Sequence, residues 1–280
     1  MRELAPGLFV HSGVQEESSP RNLGDIANIG FIVGGKCVAV IDTGGSIVVG
    51  NRLREAVKAA TKLPICYVVN THIHPDHIFG NAAFKSDNPV YVGHARLAAA
   101  MAARGRNYRN ALLRDVGDAV AASEIIPPTL EVKDTLDLDL GGRTLRLTAW
   151  PTAHTDNDLT VFDTRSETLW LADLLFVEHM PVVDGSLKGW LSVVAQIAAL
   201  QPQRVVAGHG EAADWRRALS DQERYLRILL DETRAAIKAK RTMQQAVDSV
   251  GLGEKDKWLL SEGFHRRNVT AAYAELEWED

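Results

Sequence analysis

The chain has 280 residues, 46% of them hydrophobic, and a formal net charge of -5. It is long enough to bury a sizeable core, and no Pro/Ser-rich linker or internal repeat divides it. No basic cluster interleaved with aromatics would track a phosphate backbone, which argues against a nucleic-acid partner, and no apolar run suits a membrane span.

From the N-terminus, apolar alternation predicts strands at Leu8–His11, Ala27–Val33 and Cys37–Ile41, a helix near Ile47–Thr61 and a further strand at Ile65–Asn70. A short strand follows at Asn88–Val92, and the Ala- and Arg-rich stretch Arg96–Ser123 reads as helix interrupted around Gly105. The second half repeats the logic, with strands at Thr135–Leu140, Thr144–Trp150, Leu159–Asp163, Thr168–Ala172 and Val205–Ala207 and a helix around Leu191–Leu200 before the last. Asp214–Lys240 is an amphipathic helix. It opens a C-terminal helical extension, about 212–280, of one domain spanning 1–280. The tail from Phe264 to Trp278 either packs back or joins a homodimer contact; nothing in it has catalytic spacing, which favours packing.

One segment carries the chemistry. Residues 70 to 80 read Asn-Thr-His-Ile-His-Pro-Asp-His-Ile-Phe-Gly, so His72, His74, Asp76 and His77 fall within six positions directly after the apolar run Ile65–Val69. Imidazole and carboxylate are ligands that suit a borderline ion such as zinc. His72 and His74 are two apart and leave the same face of extended backbone, so both can reach one ion. Pro75 keeps His74 extended and forces a turn, after which Asp76 and His77 point elsewhere, toward a second ion.

The His-x-His-x-Asp-His motif resembles that of the metallo-β-lactamase superfamily. The downstream partners used by that family have counterparts here: His154 after the run ending Trp150-Pro151, Asp173 after Thr168–Ala172, and His209 in Val205-Val206-Ala207-Gly208-His209. The resemblance implies an α/β fold, a four-layer αβ/βα sandwich. It also implies His72, His74 and His154 on one zinc ion, Asp76, His77 and His209 on a second, and Asp173 bridging the two. Asp42 matches an early aspartate that orients a ligand histidine; the alternative is a turn residue before Gly44 and Gly45.

Within the superfamily, Asn70–Phe84, Pro181–Trp190 and Gly24–Phe31 look most like the quinoprotein relay system zinc metallohydrolases. The implied activity is a dizinc hydrolase in which a metal-activated hydroxide cleaves an ester, thioester, lactone or amide-type bond, with Asp76 passing a proton to the leaving group. A residual positive field would favour an anionic or polar small molecule. Two alternatives stay open: a mononuclear iron oxygenase of sulfur compounds on the same fold, and a non-catalytic protein that binds metal and ligand.

Other residues carry two readings each. Lys188 either pairs a substrate carboxylate or is a solvated loop lysine. His179 either lines the entrance or has no role, and His94 reads as structural. Asp156 and Asp158 either touch substrate or hold a turn. Cys37 and Cys66 lie on strands that neighbour each other in the family; two buried free thiols are the stronger reading, a disulfide the other. No basic-then-apolar leader is visible, which places the protein in the periplasm if a leader was removed and in the cytoplasm otherwise.

Overall fold

The computed structural model describes residues 1–279. Its first sheet has seven strands in sequence order: β1 (Arg2–Ala5), β2 (Leu8–His11), β3 (Ile29–Val33), β4 (Val38–Ile41), β5 (Ile65–Val69), β6 (Val90–His94) and β7 (Leu130–Val132). Pairing is antiparallel from β1 to β4 and parallel from β4 to β7. Parallel neighbours need crossovers, and α1 (Ile47–Ala60) and α3 (Leu97–Val116) lie in two of them. Between β5 and β6 stands the single turn α2 (Pro75–Ile78), with proline at its first position, where a missing N–H costs nothing.

The second sheet runs β12-β11-β10-β9-β8, built from β8 (Thr135–Asp139), β9 (Thr144–Ala149), β10 (Leu159–Asp163), β11 (Thr168–Phe176) and β12 (Arg204–His209). Its helices are α4 (Leu187–Leu200), α5 (Trp215–Lys238), α6 (Met243–Val247) and α7 (Ser261–Leu276).

Strand periodicity explains the layering. On β4, Ala39 and Ile41 face the second sheet, where they meet Leu147, Val161, Trp170 and Val206, while Val38 and Val40 face Val49, Leu53 and Val57 of α1. On β11, Trp170 and Ala172 point inward, whereas Leu169 and Leu171 pack under α4 and α5. The sheets therefore share one core and each is covered by helices, which is the four-layer sandwich expected.

Four expectations need correction. Helix α3 runs unbroken through Gly105: a glycine inside a helix costs about 1 kcal/mol relative to alanine, but a Cβ here would collide with Ile125, so the missing side chain admits a close neighbour. Strand β11 continues past Ala172 to Phe176 because a bulge at Ala172, whose φ is +47°, lets pairing resume at Phe176 opposite His209. Strands β1 and β7 were not expected; both are short edge strands, and each buries a single residue, Ala5 and Val132. Cys37 and Cys66 are joined in a disulfide, with Cα atoms 5.8 Å apart, so the stronger reading of two free thiols fails: β4 and β5 are hydrogen-bonded neighbours, which brings the two sulfurs together. No described helix is long and apolar enough to cross a membrane.

Candidate metal centre

Every element of the site ends at the same edge of the two sheets. Asp42 follows β4, the His72–His77 segment follows β5, His154 lies in the loop after β9, Asp173 sits just past the bulge in β11, and His209 closes β12. The backbone N–H of Leu159 donates to the Thr71 carbonyl at 2.8 Å and ties the two sheets together beside the site.

The structure brings all seven expected residues together. Ligand atoms of His72, His74, His154 and Asp173 lie within 4.8 Å of one another, as do those of Asp76, His77 and His209. The Asp173 carboxylate stands between the groups, 3.6 Å from His72 Nε2 and 3.3 Å from His154 Nε2 on one side, and 3.1 Å from His77 Nε2 and 3.5 Å from His209 Nε2 on the other. Asp76 completes the second group, 3.3 Å from His209 Nε2 and 3.6 Å from His77 Nε2.

Whether metal fits is decided by the other nitrogen of each ring. His77 Nδ1 is 2.8 Å from the Asp42 carboxylate, His154 Nδ1 is 2.7 Å from the Val182 carbonyl, and His209 Nδ1 is 2.9 Å from the Ile26 carbonyl. His74 Nε2 is 3.2 Å from the Asp184 carboxylate. Thr71 Oγ1 donates to Asp42 at 2.8 Å, so its lone pairs are left for His72 Nδ1 at 3.0 Å. Each of the five rings thus has an outward partner for one N–H, which leaves its inward nitrogen as the one that can ligate a metal. Inside, His74 Nδ1 and His154 Nε2 face each other at 3.0 Å, and His72 Nε2, His77 Nε2 and Asp173 Oδ1 are buried with no hydrogen-bond partner. Inward nitrogens crowded together and buried polar atoms without partners are costly by themselves and are satisfied together by cations between them.

The profile of the Metallo-beta-lactamase superfamily matches residues 23–209, which include all seven of these residues. The chain belongs to the metallo-β-lactamase superfamily. Solved metallo-β-lactamases share its fold: that of Hirschia baltica is 17% identical, with 80% of this chain and 95% of that one covered and a TM-score of 0.63. The enzyme from Pontibacter korlensis is 18% identical, with 79% and 99% covered and a TM-score of 0.60. Among curated proteins, a linear primary-alkylsulfatase of a Pseudomonas species is 23% identical over 225 residues, 67% of this chain and 42% of that one. The chain thus spans less than half the length of that relative.

Within this superfamily frame the site is strongly polarised. Burial alone would push the Asp173 carboxyl up, yet His77, His209 and His72 outweigh it and hold the group well below the ordinary carboxylate range. Burial pulls His77 down, but Asp173, Asp76 and Asp42 raise it well above an ordinary histidine. His72 falls instead, through burial and the charge on His77.

Asp42 is fully buried and receives the Thr71 N–H at 2.8 Å besides Thr71 Oγ1 and His77, so it anchors one histidine of each group. Its φ of +54° suits Asp or Asn. Asp42→Asn, which turns an NH2 group against a donor that the carboxylate accepts, is expected to weaken metal binding about 10–100-fold and to cost about 1–3 kcal/mol of stability. Asp42→Ala is expected to add about 1–2 kcal/mol of backbone strain. Zinc competition titrations alongside urea unfolding distinguish the two, and equal metal affinity in all three proteins would dismiss the anchoring role.

Lys188 is not brought to the site. Its ammonium lies 2.7 Å from Glu279, because Ser186 and Leu187 start α4 against the end of α7, and the substrate-pairing reading is withdrawn. His179 does line the cavity, its ring centroid 4.9 Å from that of His209 and its Nδ1 donating to the Met180 carbonyl. His94 is buried and accepts the Arg96 N–H at 3.0 Å, a packing role. Asp158 holds its turn by accepting from Thr155 N and Oγ1; burial, opposed by His154, pushes its carboxyl up to about 6. Asp156 lies 3.6 Å from Arg104 at the surface.

Four contributors escaped sequence reasoning. Asp184, which holds His74 and is itself held by Arg104 at 2.6 Å, lies in the segment quoted for the family likeness but has no ligand spacing. Val182 and Ile26 act through backbone carbonyls, which no side-chain pattern reveals. Gly208 precedes His209, and a Cβ there would collide with Asp173 Oδ1. Gly208→Ala is therefore expected to displace Asp173 and lower metal content; retention of wild-type metal per chain on elemental analysis would contradict this.

Proposed function

We propose that this protein is a dizinc hydrolase that cleaves an ester, thioester, lactone or amide-type bond in a small polar or anionic molecule. The observation that carries this reading is the inward convergence of seven ligand-type side chains whose five imidazoles all have their outward nitrogens satisfied. His72, His74 and His154 would hold one ion, Asp76, His77 and His209 the other, and Asp173 both. Bound there, the ions supply Lewis acidity toward a carbonyl oxygen and acidify water toward neutral pH.

The protein's own groups do the rest. Of the four members of the set that line the cavity, His74, Asp76, Asp173 and His209, Asp76 and His74 are the most exposed, with side chains 14% and 15% exposed. Burial opposes ionisation of Asp76, but His77 and His209 hold its carboxyl below the ordinary range, so it is an anion at neutral pH. An anionic carboxylate at the cavity floor accepts a proton from attacking water and returns it to the leaving group. Asp42, Asp184, Val182 and Ile26 keep the imidazoles in the ligating tautomer throughout. A cavity of about 750 Å³ above the site gives room for a small substrate.

The finer placement among the quinoprotein relay system zinc metallohydrolases is supported by what two of the quoted segments do: Gly24–Phe31 supplies the Ile26 carbonyl to His209, and Pro181–Trp190 supplies the Val182 carbonyl to His154. A second reading, sulfate-ester hydrolysis, is favoured by the similarity to a linear primary-alkylsulfatase. The Cys37–Cys66 disulfide favours an oxidising compartment such as the periplasm.

Elemental analysis of protein purified without chelator or added metal, followed by assays on esters, thioesters, lactones, lactams and a primary alkyl sulfate, tests these readings. Near two zinc ions per chain with turnover of an acyl substrate is expected. Turnover of the sulfate alone selects the second reading, and near one iron without hydrolysis rejects both in favour of an oxygenase.

A further inference from the structure

One wall of the cavity comes from α7, which lies beyond the superfamily-matched residues 23–209. Phe264, Arg267, Ala271 and Ala274 recur at i, i+3, i+7 and i+10 and form one stripe facing the cavity. Arg267 is in the middle of that stripe, and Arg266 lies at its edge. Nearby arginines on α5 are paired, Arg224 with Glu254 at 3.1 Å and Arg234 with Glu279 at 2.8 Å. Among the described residues, neither Arg266 nor Arg267 has a carboxylate within 4.0 Å. The Arg267 guanidinium instead lies over the Phe264 ring, 5.4 Å from its centroid. Stacking orients the guanidinium face and leaves its edge donors for a planar or tetrahedral oxyanion.

The acidic residues of the cavity rim are engaged elsewhere. Glu16 pairs with Arg21 at 2.6 Å, and Glu17 sits against Gly263 in the first turn of α7, where the helix dipole favours a negative charge. The lining that Arg267 shares with His74, Asp76, Asp173 and His209 also includes the apolar Ala271, Ala274, Val182 and Val183. One cavity therefore holds the candidate metal ligands, apolar side chains and two arginines.

We propose that α7 selects substrates bearing a second anionic group, separated by a short apolar segment from the bond that is cut, and that Arg267, flanked by Arg266, binds that group. This rests on the reading that bonds are cut at the metal centre. Bound oxyanions of carboxylate or sulfonate type fit the same donors.

Binding of unreactive probes to the zinc-loaded full chain tests it. Hexanoate, hexanedioate and 5-sulfopentanoate share a carboxylate for the metal end and a four-methylene spacer and differ only in the far group. Wild type is expected to bind at least one of the two dianions at least tenfold more tightly than hexanoate. The Arg266→Gln/Arg267→Gln double variant, altered only at exposed positions, is expected to lose that preference while keeping zinc content and hexanoate affinity. Whichever dianion binds more tightly identifies the oxyanion. Equal affinity for all three probes in wild type, or a preference that survives in the double variant, overturns the proposal. Absence of hydrolysis across the substrate panel with the preference intact would reject the hydrolase reading alone.

Discussion

Replacing Asp173 with alanine is expected to empty both metal groups at once and to reduce hydrolysis by more than the roughly 10–100-fold that loss of an outer hydrogen-bond partner costs. The reason is position. Its carboxylate lies within 3.6 Å of imidazoles from both sets, touching His72 and His154 on one side and His77 and His209 on the other. Without it, five imidazoles share a dry pocket with only Asp76 to offset the charge of bound cations. His209→Ala is the control, since it removes a ligand from the second group alone and should spare the first. Metal per chain after dialysis against fixed free zinc, read with the hydrolysis rate and a circular dichroism check of folding, decides the matter. Two ions retained by Asp173→Ala would end the bridging assignment.

The second large effect is on stability and lies away from the chemistry. Arg143, in the turn between β8 and β9, is buried and makes a two-pronged pair with Asp163 at 3.0 and 2.6 Å. Its remaining amine donates to the carbonyls of Pro6 and Val33 at 2.9 Å, so one guanidinium ties the second sheet to the first. Arg143→Ala leaves a buried carboxylate and two carbonyls without their donor, and is expected to cost about 3–5 kcal/mol. Replacing both partners with apolar residues of similar volume should cost much less, because no charge is then stranded. Urea unfolding of the single and double variants measures this, and a loss below about 1 kcal/mol in Arg143→Ala, in the range of an exposed pair, would refute it.

The same pair sets a pH dependence. Burial pushes Asp163 up, but Arg143 and Ser166 pull harder and leave its carboxyl below the ordinary value. A carboxyl lowered on folding stabilises the native state above its unfolded pKa, and that contribution is lost as pH falls through the folded value. Wild type should therefore lose stability below about pH 4, where an unfolded aspartate begins to bind protons. Arg143→Ala should show a weaker acid dependence.

The ligand set was legible because metal chemistry restricts residue type. Only a few side chains ligate zinc, and four of them within six positions after an apolar run leave little else to read. The strands were legible where burial on one face imposes alternation, as on β4 and β9. Lys188 illustrates the limit. A lysine in a loop near a ligand carries no mark of which way it points, and here it turns to Glu279, just past the end of α7 and some ninety residues later in the chain.

The sequence by itself determined the types and order of the candidate metal-ligating residues, the superfamily and the two strand-rich halves, since these rest on local periodicity and spacing. Only the tertiary structure decided which atoms support them. The carbonyls of Val182 and Ile26, the Asp184 carboxylate and the empty space at Gly208 act through backbone geometry or long-range contact, and leave no local pattern. The α7 wall is the largest such decision. The phase that puts Arg267 on the cavity side is set by how α7 packs on α5, through contacts such as Asn268 with Tyr225 and the Pro181 carbonyl, and not by anything within the helix itself.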